Sequence, residues 1–251
     1  MLEHDKERTL KNRERLFLNK NLLYWYKNLY KTQFLDIEEL SKKKILEIGS
    51  GASALKHFYG HVLTSDILGL DYLDHQIDCQ KIDRCLAIPD STLDIITMTN
   101  VLHHLQDPIA CLKKMSFKLK PGGSVIMAEP YYSYISRLIY KYIHSEPSVF
   151  DIERPVIKDI RGPLSSANIA IPYMLFFSDK GWDRELLGSY DFSKNDVKHY
   201  SSFSYMATGG MSMKIPIPHF LYKVLFWIDI YIAKTFPGIF SSFFIIKLVK
   251  R

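Results

Sequence analysis

Chemistry concentrates in Lys44-Ile-Leu-Glu-Ile-Gly-Ser-Gly-Ala-Ser53, where a short apolar run encloses one carboxylate and ends in two glycines. Gly49 and Gly51 let the backbone approach a ligand with no Cβ in the way, and the N–H groups of a helix beyond them favour an anionic group. Glu47 argues against a phosphate there: a carboxylate in the turn repels pyrophosphate but suits a cationic or hydroxyl-rich ligand. Asp66, Asp78, Asn100 and Glu129 each end a short segment that reads as a strand. The titratable candidates for acid–base work are His103 and His104 in Asn100-Val-Leu-His-His-Leu105, Glu129, and His144 in His144-Ser-Glu-Pro147.

These residues need elements to hold them. Spaced apolar positions over residues 5–31 predict one or two helices. Strands are expected at Lys44–Ile48, His61–Ile67, near His75–Gln80, at Leu93–Thr99 and at Ser124–Glu129, with a helix over Ala52–Tyr59 stopped by Gly60. Asp107-Pro108 reads as N-cap and first-turn proline of a helix whose inner face carries Ile109, Leu112, Met115 and Leu119, and Pro121-Gly122-Gly123 reads as a turn. Strands alternating with helices imply an α/β, Rossmann-like, doubly wound and mostly parallel sheet. Such sheets bind ligands at the carboxyl ends of their strands, where Gly49, Asp66, Asp78, Asn100 and Glu129 fall. The chain is expected to form a single domain: an N-terminal helical cover over 1–41, a cofactor-binding core over 42–130, a substrate cap over 131–215, and a C-terminal helix and edge strand over 216–251. Tyr131 and Tyr132 are expected to face the ligand or to cap the pocket.

Six segments, Ile45-Leu-Glu-Ile-Gly-Ser-Gly51, Thr64-Ser-Asp66, Asp78-Cys-Gln80, Pro89–Asp94, Asn100–Leu105 and Leu119-Lys-Pro-Gly-Gly123, occur in an order and spacing that resembles the class I S-adenosylmethionine-dependent methyltransferases. The likeness runs to the small-molecule branch that includes the ubiquinone/menaquinone methyltransferases, and it covers about residues 42–130. The resemblance implies S-adenosylmethionine as cofactor. Glu47, Gly49 and Gly51, with Ser50 between the glycines, would hold its methionine end. Asp66 would accept the ribose hydroxyls, Asp78 and Cys79 would meet the adenine, and Asn100 would close the methionine pocket. The sequence departs from the pattern at Ser53, where the family has a third glycine, and the long interval after Asp78 makes Asp83 a competitor for the adenine position. The reaction implied is a one-step displacement onto an oxygen, nitrogen or carbon of a small-molecule, glycan or lipid-linked acceptor, releasing S-adenosylhomocysteine. His144, His103 or Glu129 would serve as base if the acceptor is a hydroxyl.

Two other classes compete. Gly49-Ser-Gly-Ala-Ser-Ala54 also satisfies the loose dinucleotide pattern of an NAD(P)-dependent reductase, and the lack of an unmistakable catalytic residue allows a silent binding module in an envelope-biosynthesis complex. The 251 residues carry 47% hydrophobic residues and a net charge of +6. No basic-aromatic nucleic-acid motif accompanies that charge, so no nucleic-acid partner is expected. Cys79, Cys85 and Cys111 lack metal-ligand spacing and read as reduced thiols, so no metal is expected. The first residues have no apolar signal region, which predicts a cytoplasmic protein. The segment His219–Ala233 is too short to span a bilayer. Its apolar residues, with Lys223, Lys234, Lys247, Lys250 and Arg251 around them, either pack on the sheet or stay partly exposed and give weak contact with an anionic membrane surface.

Overall fold

A computed structural model describes residues 2–143, 146–211 and 215–251. Strands β1 (Ile45–Ile48), β2 (Leu63–Asp66), β3 (His75–Gln76), β4 (Leu93–Thr99) and β5 (Leu119–Pro130) run parallel. β6 (Tyr190–Asp191), β7 (Lys198–Tyr200) and β8 (Phe243–Lys250) complete one eight-stranded sheet in the order β3-β2-β1-β4-β5-β8-β6, with β7 also on β8. Register places Glu47 beside Thr64 and Thr97, so the carboxyl ends of β1, β2 and β4 finish together.

Neighbouring residues along each strand point to opposite faces, and both faces are apolar. Leu46, Ile96, Val125 and Ile246 join one core, beneath α4 (Pro108–Lys118) and α6 (Ile171–Phe177). Ile45, Ile95, Ile126 and Ile245 join the other, beneath α2 (Lys20–Gln33) and α8 (His219–Thr235). The remaining helices are α1 (Leu2–Leu18), α3 (Leu55–Phe58), α5 (Tyr134–Tyr142), α7 (Phe203–Ala207) and α9 (Pro237–Phe240).

The helix predicted over 52–59 is a single turn, because Ala54 has non-helical backbone angles and the preceding residues are held by tertiary bonds. The Asp107 cap forms as expected, its Oδ1 accepting from Ala110 N at 2.9 Å. Leu119, expected on that helix, instead opens β5 against Leu93. The register resumes at Ile95–Ser124, so Lys120–Gly123 bulge out of the ladder, with Gly122 at φ +73°.

The C-terminal strand is not an edge. β8 is antiparallel to β5 on one side and to β6 and β7 on the other, because its Phe243–Ile246 side chains are buried on both faces. For the same reason the segment expected as a cap over 131–215 is only partly one: α6, β6 and β7 belong to the core and the sheet.

Candidate active site

Beyond the carboxyl ends of β1, β2, β4 and β5 lies a cavity of about 930 Å³. Its floor is the glycine turn. Gly49 has φ +75°, and a Cβ there would stand 2.4 Å from Val101 Cγ2. At Gly51 it would stand 2.6 Å from the Thr9 methyl and 2.9 Å from Asp66 Oδ2. Only glycine fits both positions.

The turn is clamped from several elements. Asp66 Oδ2 accepts from Gly51 N at 2.9 Å and its Oδ1 from Leu68 N at 2.9 Å. Arg13 of α1 donates to Ser53 O at 2.6 Å and lies 4.2 Å from the Tyr72 ring centroid, and the Tyr72 hydroxyl donates to Gly51 O at 2.5 Å. Glu47 is buried behind the turn, its Oε1 accepting from Ser53 Oγ at 2.5 Å, while Oε2 is buried without a hydrogen-bond partner among the described residues. Burial pushes the Glu47 carboxyl up to about 7 and also raises that of Asp66.

Gly49, Gly51, Asp66, Asp78, Cys79 and Asn100 all line the cavity. Asn100 takes a left-handed backbone (φ +56°), fixed by its N–H on Ala128 O at 2.9 Å, and its Oδ1 is buried without a partner among the described residues. Asp78 is at the cavity wall, where it caps Gln80 N at 3.0 Å and pairs with Lys81 at 3.2 Å. Asp83, its competitor for the adenine position, is not on that wall and faces Lys114 at 3.9 Å. Glu47 and Ser50 do not line the cavity either. Ser50 Oγ donates to Glu47 O at 3.2 Å and accepts from Ser65 N at 3.1 Å, so its side chain stitches β1 to β2 instead of meeting a ligand. The two tyrosines after β5 are also absent from the wall: Tyr131 packs edge-on against Tyr173 and Phe177, and Tyr132 against Phe150.

The opposite half of the cavity holds a histidine pair, His103 buried and His104 partly buried. Glu129 is fully buried and outside the cavity wall. Its Oε1 accepts from Val101 N at 2.8 Å and Leu102 N at 2.7 Å, and its Oε2 meets His103 Nδ1 at 2.8 Å. Expected among the candidate bases, Glu129 is thus placed behind His103 and off the cavity wall. His103 Nε2 faces Glu146 at 3.5 Å, and His104 Nε2 faces the same carboxyl at 3.8 Å. His104 Nδ1 lies 3.0 Å from Ser166 O, a carbonyl that can only accept, so Nδ1 carries the proton and Nε2 the lone pair. Burial alone would lower the His103 pKa, but the hydrogen bonds it donates to the Glu129 and Glu146 carboxylates outweigh it and bring it to about 9. Burial and the neighbouring His103 lower His104 to about 4. One ligand atom from each of His103, His104 and Glu146 lies within 4.8 Å of the others, a set that could also hold a cation. His144, the remaining candidate base, lies outside the described residues.

Sequence reasoning missed Glu146 as a partner of the histidines, although it stands inside the His144-Ser-Glu-Pro147 segment. It also missed Arg8, Thr9 and Asn12 of α1 and Tyr26 and Tyr30 of α2, which cover the cofactor half of the cavity. Nothing in α1 singles these residues out. They become visible only once buried Asp5, accepting from Ser165 Oγ at 2.8 Å and Leu164 N at 3.2 Å, ties that helix to the segment after α5.

The observations fit S-adenosylmethionine. Two glycines leave room that a side chain would fill, Asp66 keeps unused lone pairs toward hydroxyls, and Asn100 Oδ1 on the cavity wall has no partner among the described residues. Gly49, Gly51 and Asn100 would hold its methionine end, Asp66 its ribose, and Asp78 and Cys79 its adenine.

The comparisons bear on the family and the fold. A stretch covering 34% of the chain is 29% identical to an uncharacterized methyltransferase of Schizosaccharomyces pombe, and one covering 39% is 26% identical to phosphoethanolamine N-methyltransferase 3 of Arabidopsis thaliana. The matches span only 39% and 23% of those two proteins. A Thermotoga maritima structure described as an S-adenosylmethionine-dependent methyltransferase, possibly acting on histamine, superposes with a TM-score of 0.52. Coverage there is 99% of both chains at 16% identity, a likeness of fold. The family model described as a methyltransferase domain matches residues 5–203, and the chain accordingly belongs to that methyltransferase-domain family.

Proposed function

We propose that the chain transfers a methyl group from S-adenosylmethionine to a protic group, a hydroxyl or phenol, on a largely apolar acceptor. The observation that carries this reading is the composition of the acceptor half of the cavity. Ile139, Ile143, Ile160, Leu164, Ile169 and Phe243 line the same cavity as the His103–His104–Glu146 cluster, so an apolar body would be sheltered while its one polar group met the histidines. At about 930 Å³ the cavity is at the upper end of ordinary ligand clefts, with space for a cofactor and an acceptor together.

When bound, the cofactor supplies an activated methyl group on a sulfonium. The chain's own residues have three tasks. The glycine turn, Asp66 and Asn100 fix the donor half, and the wall of α5 and the segment around residue 160 aligns the acceptor and excludes water, which supplies most of the rate advantage of a bimolecular displacement. The histidine cluster takes up the acceptor proton. His103 is already protonated between two carboxylates at neutral pH, which leaves His104 Nε2 and the Glu146 carboxylate as accepting positions.

The test supplies methyl-tritiated cofactor to the purified protein with organic-soluble and water-soluble metabolite extracts, and follows label and S-adenosylhomocysteine. Label in the organic phase, lost in His104→Ala, supports the reading. Label only in the aqueous phase refutes the apolar acceptor. Intact cofactor binding with no label in either phase is the result expected of a silent binding module.

A further inference from the structure

We propose that α8, α9 and α5 form a docking face for an anionic lipid bilayer, through which an apolar acceptor enters the cavity. The lipid nature of that acceptor rests on the reading above; the docking itself does not.

Helix α8 is pinned from its inner side. Asp229 is 2% exposed, and its carboxylate accepts from Ser202 N at 3.0 Å, Phe203 N at 3.1 Å, Ser204 N at 2.9 Å, Ser204 Oγ at 2.6 Å and Ser201 Oγ at 3.0 Å. A carboxylate so satisfied fixes the rotation of the helix about its axis, with Tyr222, Phe226 and Ile230 packed inward. The outward face is then also apolar. Phe220 is 69% exposed, Val224 59%, Trp227 57%, Ile228 55% and Tyr231 71%, a spacing of four, three, one and three that keeps them on one stripe. At a rise of 1.5 Å per residue the stripe from Phe220 to Tyr231 is about 17 Å long.

The stripe continues onto α9, which packs against both α8 and α5. Phe236 and Ile239 are exposed there, and Tyr134, Leu138 and Tyr142 on α5. Exposed large apolar side chains on three helices packed in series call for a covering partner. No helix among the described residues is long and apolar enough to cross a membrane, so contact with a bilayer would be interfacial.

Charge chooses the partner. Arg137, Lys141, Lys223 and Lys234 are exposed around the stripe, and the only acidic residue in 134–143 or 216–251 is the buried Asp229. A second copy of the chain laid face to face would set these cations against their own kind, whereas anionic head groups would neutralise them. Trp227, Tyr231, Tyr134 and Tyr142 are the side chains that favour the boundary between acyl chains and head groups.

The same face opens on the active site. Ile139, Tyr140 and Ile143 of α5 line the cavity, as do Ser242 and Phe243 at the start of β8, and Ile143 is also 66% exposed. The Tyr140 hydroxyl donates to Ser242 O at 2.6 Å and holds these two walls together. An acyl or polyprenyl chain leaving the bilayer beside α5 would enter the cavity past Ile139, Ile143 and Phe243, which line it together with the histidine cluster.

Co-sedimentation of the full chain with vesicles of phosphatidylcholine alone, and of phosphatidylcholine mixed with phosphatidylglycerol, tests the face. Binding to the mixed vesicles at low salt is expected, weaker by about ten-fold or more at high salt as the charges are screened. A blue shift of Trp227 fluorescence should accompany it, Trp25 and Trp182 being already buried. Trp227→Glu with Ile228→Glu should reduce vesicle binding at least ten-fold while calorimetric affinity for S-adenosylhomocysteine stays unchanged, a control that also shows the variant is folded. Absence of vesicle binding overturns the proposal, as does a concentration-dependent dimer that the same double substitution abolishes, since the face would then belong to a second copy. Organic-phase methyl label without vesicle binding would leave the acceptor reading standing and remove the docking face alone.

Discussion

Replacing Asp66 with alanine probes the cofactor half of the site. The carboxylate already accepts from Gly51 N and Leu68 N, each at 2.9 Å, so its lone pairs directed into the cavity are the ones that would take the ribose hydroxyls. Hydrogen bonds to a charged acceptor contribute about 1.5–3 kcal/mol net. Losing that contribution should weaken S-adenosylhomocysteine binding by roughly 10- to 150-fold. Truncation also strips an acceptor from the glycine turn, which would lower stability by about 1–2 kcal/mol and loosen the same site. Asp66→Asn separates the two effects: the amide oxygen can retain one backbone donor, so its thermal midpoint should stay near that of the parent chain while affinity falls. Titration calorimetry beside thermal unfolding of both variants gives the answer. Affinity within two-fold of the parent in both variants would refute the placement of the ribose at Asp66.

Three further outcomes follow from the same geometry. Glu129→Gln should abolish most turnover with little change in cofactor affinity, because it removes the carboxylate that orients His103. In the parent chain, the stability tied to protonated His103, whose pKa is raised to about 9, is fully present below about 6.5 and is lost as pH rises through 9. The thermal midpoint should therefore fall across that window in the parent and vary less in the variant. The Glu47 carboxyl, raised to about 7, favours the folded state in its neutral form, a contribution present below 4.5 and lost as pH rises through 7. A cationic ligand end nearby favours the ionised form, so cofactor binding should release a proton near pH 6–7, seen as buffer-dependent calorimetric heat that disappears in Glu47→Gln. Finally, if His103, His104 and Glu146 act on a proton and not on a cation, chelation with EDTA should leave turnover unchanged.

The parallel core was legible from residue order because its causes are local. A four-residue apolar run, a left-handed glycine and an Asp-Pro helix start each dictate their own backbone, and β1, β4 and the start of α4 lie where those signals put them. The same locality placed Gly49, Gly51, Asp66, Asp78 and Asn100 at strand ends and hence at one cavity. What required the tertiary structure was everything set by partners distant in sequence. Ser50 and Glu47 sit in the motif but do not line the cavity, since a glycine turn fixes the backbone path and not which side chains reach the ligand. Glu146 meets His103 only because the segment after α5 folds back over β4, with Asn168 N donating to His103 O at 2.9 Å. β8 became an inner strand because two short strands from the supposed cap found its free edge, a pairing that no periodicity in 190–200 announces. The tail shows the division most plainly. Its sequence is apolar nearly all round and is compatible with packing or exposure. The choice was made by one buried carboxylate, Asp229, whose five hydrogen bonds set the rotation of α8 and so decided which half of an apolar helix meets the core and which meets its surroundings.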